Sequence, residues 1–277
     1  MAGWVSRLMI YDLEEAEASP VLETGMEIAA PNWTPDGSAL IVNGEGSLFW
    51  VDLDEPDLLE IDTGLCINLN NDHGVSPDGD TLFFTDHTYG GPAKIWRQNI
   101  GDDSDPVQVT RKEPSWFHGI SPDGHMICYA AVREGLFGIY TARADGSHEN
   151  CVIEGAHHYD GPDFSHCGQW IWFNSDRSGT SEIWRVRTDG SGLERMTEDA
   201  EVNWFPHPAP DGEKVVYMAY SEGIVGHPAG MHVDLRLWTS KDRKPETLVS
   251  LYGGQGTFNS PCWSPDGMAF AYVEYAE

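Results

Sequence analysis

Short apolar or alternating runs, each bracketed by Gly, Pro, Asp and Ser, recur along the whole chain. One set reads Ala39-Leu40-Ile41-Val42, Thr81-Leu82-Phe83-Phe84, Met126-Ile127-Cys128-Tyr129, Trp170-Ile171-Trp172-Phe173, Lys214-Val215-Val216-Tyr217 and Ala269-Phe270-Ala271-Tyr272. Runs of this length, rich in β-branched and aromatic residues and bounded by turn formers, predict strands. A second strand follows in each unit, as in Leu48-Phe49-Trp50-Val51 or Glu182-Ile183-Trp184-Arg185, then a polar turn and a weaker outer strand such as Leu193–Thr197. No segment carries a convincing 3.6-residue apolar period, so the expected class is all-β.

Each unit is announced by one turn box: Thr34-Pro35-Asp36-Gly37, Ser76-Pro77-Asp78-Gly79, Ser121-Pro122-Asp123-Gly124, Ala209-Pro210-Asp211-Gly212 and Ser264-Pro265-Asp266-Gly267, with Ser165-His166-Cys167-Gly168 as a degenerate copy. Pro presets φ, Asp bonds its own backbone and Gly supplies positive φ, so the box reads as a hairpin turn. The box glycines are spaced 42, 45, 44, 44 and 55 residues apart. Four strands in about 44 residues is the period of a propeller blade.

The expectation is therefore one domain over 1–277, a six-bladed β-propeller with four antiparallel strands per blade. The blades fall near 25–66, 67–112, 113–155, 156–198, 199–251, and 252–277 joined to 1–24. The N- and C-terminal strands share the last blade and close the ring, which leaves no open sheet edge. Trp50, Trp96, Trp184 and Trp238 hold one repeat position, with Tyr11 and Tyr140 standing in, and read as packing between blades.

Composition narrows the partners. With 16 Lys+Arg against 45 Asp+Glu the net charge is −29. Nucleic acid is excluded as a partner because a phosphate backbone needs a basic patch. An anionic membrane surface is excluded for the same reason. No apolar run approaches bilayer length, and the start of the chain carries no leader-like apolar core, so a cytoplasmic location is expected. Five scattered cysteines form no CxxC and no disulfide framework, and read as buried free thiols.

Several stretches carry a family resemblance: Asn70-Asn71-Asp72-His73-Gly74-Val75 before its box, Tyr159-Asp160-Gly161-Pro162-Asp163-Phe164, Asn174-Ser175-Asp176-Arg177, Asn203-Trp204-Phe205-Pro206-His207-Pro208, and Tyr252-Gly253-Gly254-Gln255-Gly256. With the repeat, they resemble the PD40 repeat of TolB-like β-propellers, in a cytoplasmic branch without the TolB N-terminal domain. The oligogalacturonate lyases, metal-dependent propellers, are more distantly similar. Their metal motif, QxxHxH, is matched here only by His207 in Val202–His207.

The residues just before each box line a propeller's axis, and here they are polar. His73, His118 and His207 converge from three blades and are the candidate ligands of one divalent cation, Mn, Zn or Ca. Asp72, Asp160, Asn203, Gln255 and Asn259 are the candidate ligand-binding set. The one insertion, Tyr220–His232, reads as a lid that brings His227. His227 and His158 are candidate acid/base residues, and Arg236 a candidate anion clamp. There is no GxSxG elbow, and Gly253–Gly256 lacks the GK[ST] of a phosphate loop, so no nucleotide cofactor is expected. The resulting expectation is a propeller that binds, and by metal-assisted lyase chemistry cleaves, a small carbohydrate or oligosaccharide of uronate type. The alternative is a non-catalytic scaffold or sensor for a protein or small-molecule partner, as the TolB resemblance implies.

Overall fold

All six turn boxes form, and for the stated reason. In the computed structural model, which describes residues 5–101, 104–242 and 244–276, the box glycines have φ between 67° and 83°. Each donates its N–H to the carbonyl three residues back at 2.8–3.0 Å. Asp36, Asp78, Asp123 and Asp266 accept the box Ser or Thr hydroxyl at 2.5–2.6 Å and the N–H two residues on at 2.9–3.1 Å. Those hydrogen bonds hold the four carboxyls below the usual Asp range. The ends of the 1–277 span lie outside the described residues.

The strands assemble into five four-stranded antiparallel sheets and one of three strands. Together they make the expected six-bladed propeller. A representative blade runs from Tyr159–Phe164 on the inside through Trp170–Ser175 and Glu182–Arg187 to Glu194–Arg195 outside. The ring closes as the repeat predicts: Ala269–Ala276 pairs with Val5–Asp12, which pairs with Glu17–Thr24. The innermost run of this blade forms no continuous ladder but meets Ala269–Ala276 at a bridge between Trp263 and Phe270 and at the Ala271 and Val273 N–H groups, which donate to the Cys262 and Thr257 carbonyls. Pro261 offers that run no amide donor for a ladder. The insertion lengthens the fifth blade's outer pair. Ala229–Thr239 and Glu246–Gly254 still face each other at Ala229 and Gly254, so this blade extends past residue 251.

The core is not one mass but six apolar clusters, each joining two neighbouring blades. Trp50 and Trp96 pack on the cluster of the first and second complete blades. Trp172 and Trp238 meet edge to face at 5.3 Å between the fourth and fifth. The repeated tryptophans are thus wedges between blades. Of the cysteines, Cys66, Cys128 and Cys262 are buried, whereas Cys151 and Cys167 are exposed free thiols, contrary to the expectation that all five are buried.

One irregularity recurs and decides the site. The innermost strand of every complete blade carries a β-bulge: between Ala29 and Asn32, Leu69 and His73, Phe117 and Gly119, Asp160 and Asp163, and Trp204 and His207. A bulge adds residues to one strand and re-aims the side chains around it. Ala30, Gly161 and Phe205 take positive φ there.

Candidate functional site

The boxes occupy one end of the propeller, at the turns between first and second strands. The opposite end carries the blade connections and the insertion. A cavity of about 290 Å³ opens there, on the axis. Asp72, His118, Asp160, His158, His227, Gln255 and Asn259 line it, together with Asn70 and the rings of Trp116, Phe137 and Phe205. The five ligand-binding candidates thus divide, with Asp72, Asp160, Gln255 and Asn259 here and Asn203 elsewhere.

Its wall has two halves. One is a collar of rings. Phe137 packs on His158 at 4.6 Å between centroids, His158 on Trp204 at 5.6 Å, Trp204 on His227 at 4.3 Å, His227 on Phe205 at 5.1 Å, and Phe205 on His118 at 6.2 Å. The other half is carboxyl and amide: Asp72 accepts from the Asn70 amide at 2.5 Å, and Asn259 accepts the Gly256 N–H at 2.9 Å. The insertion supplies His227, which is hydrogen-bonded to Gln255 and lies 3.7 Å from Asp160. Beneath the insertion a second cavity of about 970 Å³ continues outward, sharing His158 and His227 with the first.

His118 and Asp160 are paired at 3.1 Å, with side-chain exposures of 4% and 17%. Burial alone would raise the Asp160 carboxyl. The His118 hydrogen bond and the charges of His118, His158 and His227 outweigh it and hold Asp160 below its ordinary range. Burial opposes protonation of His118, but the Asp72 charge and the Asp160 bond raise it above an ordinary histidine. Asp72 is pushed the other way, upward, by burial and then by the nearby Asp160 charge. One carboxylate kept ionised and one kept protonatable at the same cavity is an arrangement suited to holding a polar ligand, and to proton exchange with it.

The three histidines expected around a metal do not share a cavity. His118 is the unpaired residue of its bulge, because Phe117 and Gly119 pair with Tyr129 and Cys128 on either side, and it faces the axis. His73 and His207 each re-enter the ladder after their bulge. His73 Nε2 lies 3.1 Å from the Ile41 carbonyl of the preceding blade. His207 is engaged at both ring nitrogens, by Asp163 at 3.1 Å and the Phe258 carbonyl at 3.3 Å. His73 and His118 each keep a buried Nδ1 with no partner among the described residues, but only His118 lines the mouth and the three rings engage separate partners, so they do not converge on one divalent ion. Among the described residues no group of three or more His, Cys, Asp or Glu is placed to hold one.

Two further expectations are corrected. Arg236 is no anion clamp at the mouth, since it is spent on Asp199 and Glu201, each at 2.8 Å. Asn203 turns away from the axis and donates to Glu182 and Asp199 between the fourth and fifth blades. The ring collar and Asn70 are what sequence reasoning missed. Their signal was an aromatic in the innermost strand, at Trp116, Trp204 and Phe205, which the spacing of the repeat alone does not aim at the axis.

Burial of His73 makes one solution prediction. Desolvation lowers its pKa from 6.5 to about 4. The unfolded chain therefore binds this proton first, and stability falls as pH drops from about 6.5 to about 4, by roughly 3 kcal/mol from this residue. Denaturant unfolding at pH 7, 6, 5 and 4.5 should show that slope, and His73→Gln should flatten it. An equal slope in both proteins overturns the assignment.

Comparison with known proteins places this geometry. A family model described as the TolB beta propeller domain matches residues 107–240. Uncharacterized protein Atu1656 of Agrobacterium fabrum is 42% identical over 271 residues, which is 98% of this chain and 92% of that protein. A solved structure labelled as a TolB from Agrobacterium tumefaciens superimposes with a TM-score of 0.96 at 41% identity, covering 99% of each chain. An oligogalacturonate lyase in complex with manganese shares the fold alone, with a TM-score of 0.55 at 13% identity over 89% of this chain and 67% of that one.

Proposed function

This chain belongs to the TolB-like family of PD40 β-propellers, and we propose that its function is to bind a small carbohydrate at the axial mouth. The observation that carries the reading is the divided wall, with a collar of rings facing buried carboxyl and amide groups. Sugars present an apolar C–H face to rings, and hydroxyls that donate to carboxylates and both donate to and accept from amides. The cavity has room for a sugar unit or two, and the outer cavity for a longer chain.

The sugar we propose is not a uronate. No Lys or Arg lines either cavity, while Asp72, Asp160, Asp176, Asp199 and Glu222 do. An anionic ligand would enter against that field. The reading needs no metal, because His73, His118 and His207 do not share a cavity. If turnover occurs, Asp72 as acid and the His118–Asp160 pair as base are the groups in position to move protons. A cytoplasmic setting, in keeping with five free cysteines, belongs to the same proposal. Among the described residues no helix is long and apolar enough to cross a membrane.

A protein-docking role has one observation in its favour. Leu65, Ile67, Tyr89 and Val225 are exposed on loops at the same end as the mouth. The two readings separate in one experiment, a thermal-shift and calorimetric screen of neutral mono- and disaccharides on the intact chain. A bound sugar at a hundred times its Kd should stabilise the fold by about 2.7 kcal/mol, and Trp204→Ala should abolish that gain. No shift with any sugar would sink the carbohydrate reading.

A further inference from the structure

The mouth carries one buried carboxyl that no cationic side chain hydrogen-bonds, although the charges of His118 and His227 reach it. Asp160 has His118 as its partner. Asp72 is 4% exposed, lines the same cavity, and has only the Asn70 amide as a side-chain donor. No Lys or Arg lines either cavity. Left alone, such a carboxyl is expensive to ionise, and the group that would make it an asset is a cation.

A second observation lies close by. Trp204 lines the outer cavity and packs on His227 at 4.3 Å and on His158 at 5.6 Å between centroids. The acid-lined mouth is thus bordered by ring faces, and a ligand that uses both carries an ammonium on a small frame with an apolar face.

We propose that the axial cavity is an ammonium subsite, in which Asp72 receives the protonated amine of an amino sugar or a related amino alcohol. The rings of Phe205 and His227 carry the ligand's body, and Trp204 continues that surface into the outer cavity. Rings beside a carboxylate favour a cation, which is drawn both by the charge and by the ring faces. The burial that holds the Asp72 carboxyl up in the free protein is relieved when the ammonium arrives. The acids of the outer cavity, Asp176 and Glu222, give the approach the same sign.

This inference rests on the reading of the mouth as a ligand site, and the test separates the two. Matched pairs are titrated calorimetrically at pH 7 into the intact chain in 150 mM salt: glucosamine with glucose, and 1,4-diaminobutane with 1,4-butanediol, with glucuronate as the anionic probe. The amine of each pair should bind at least tenfold tighter than its hydroxyl counterpart, and glucuronate more weakly than glucose. Asp72→Asn should shrink the ratio of amine to hydroxyl affinity below threefold, whatever it does to glucose itself, while Asp36→Asn, at the box end, should leave that ratio intact. The wild-type pairs stand by themselves should Asp72→Asn fold poorly. Glucose binding without an amine advantage overturns the inference and leaves the carbohydrate reading standing. Diamine binding without any sugar does the reverse. Binding by no probe overturns both, and an amine advantage that survives Asp72→Asn in folded protein overturns the subsite.

Discussion

Asp160→Asn is expected to weaken sugar binding by roughly thirtyfold or more. Asp160 stands at the centre of the mouth, accepting from His118 at 3.1 Å and from the Gly161 N–H at 2.9 Å, with His227 at 3.7 Å. The amide keeps the shape but removes the charge that holds His118 protonated and His227 in place. Removing one partner of a buried, hydrogen-bonded charge pair costs about 2–5 kcal/mol, which spans roughly thirtyfold to several thousandfold in affinity. The same change alters the pH dependence of stability, and the signs follow from the two directions. Asp160 sits below its unfolded value, so its contribution is present above that value and lost as pH falls through the lower folded one. His118 sits above its unfolded value, so its contribution is full below that value and lost as pH rises through the higher folded one. Asp160→Asn should flatten both limbs of a melting-temperature profile. Titration calorimetry of the bound sugar together with melts from pH 3 to pH 9 checks this, and unchanged affinity would remove Asp160 from the site.

The largest loss of stability is expected far from the mouth, at Glu182→Leu. This carboxylate has 0% exposure and gathers donors from three segments: Arg195 at 2.8 Å, the Asn203 amide at 2.9 Å, the Asp199 N–H at 3.3 Å, and the Thr197 hydroxyl. It ties the third strand of the fourth blade to the strand that opens the fifth. Leucine fills the volume but leaves Arg195, Asn203 and Thr197 without their shared acceptor. Breaking such a buried network costs about 3–5 kcal/mol. For a chain of this size that is a melting-temperature drop of roughly 6–20 °C. Glu182→Gln keeps an acceptor oxygen and should lose about half as much. Sugar affinity at low temperature should be unchanged in both variants, because Glu182 lines neither cavity. Thermal melts followed by circular dichroism decide it, and a drop under 2 °C for Glu182→Leu would show the network to be ornamental.

The histidines show where sequence reading stops. His73 and His118 stand at the same offset from their boxes, three residues before Ser76 and Ser121. In the fold one is a paired strand residue held by a neighbouring carbonyl, and the other is the bulge residue on the axis. His207, one position nearer its box, is also paired and meets Asp163 from the fourth blade. Asp160 and Asp163 of one strand thus serve opposite neighbours, the first His118 of the third blade and the second His207 of the fifth. An offset counted along the chain assumes regular alternation, and the bulges beside His73, His118 and His207 do not all insert the same number of residues.

The sequence by itself determined the repeat, the six turns and the closure of the ring, because each rests on local chemistry: Pro, Asp and Gly acting within four residues, and apolar runs acting within one strand. It also marked the innermost strands as the place for polar groups. Only the tertiary structure decided which of those groups meet. The ring collar, the His118–Asp160 pair, the charge of His118 on Asp72 and the diversion of Arg236 and Asn203 into a blade interface all join residues on different blades. Their meeting depends on the bulge in each strand and on the packing angle between blades, neither of which is written in the spacing of any single repeat.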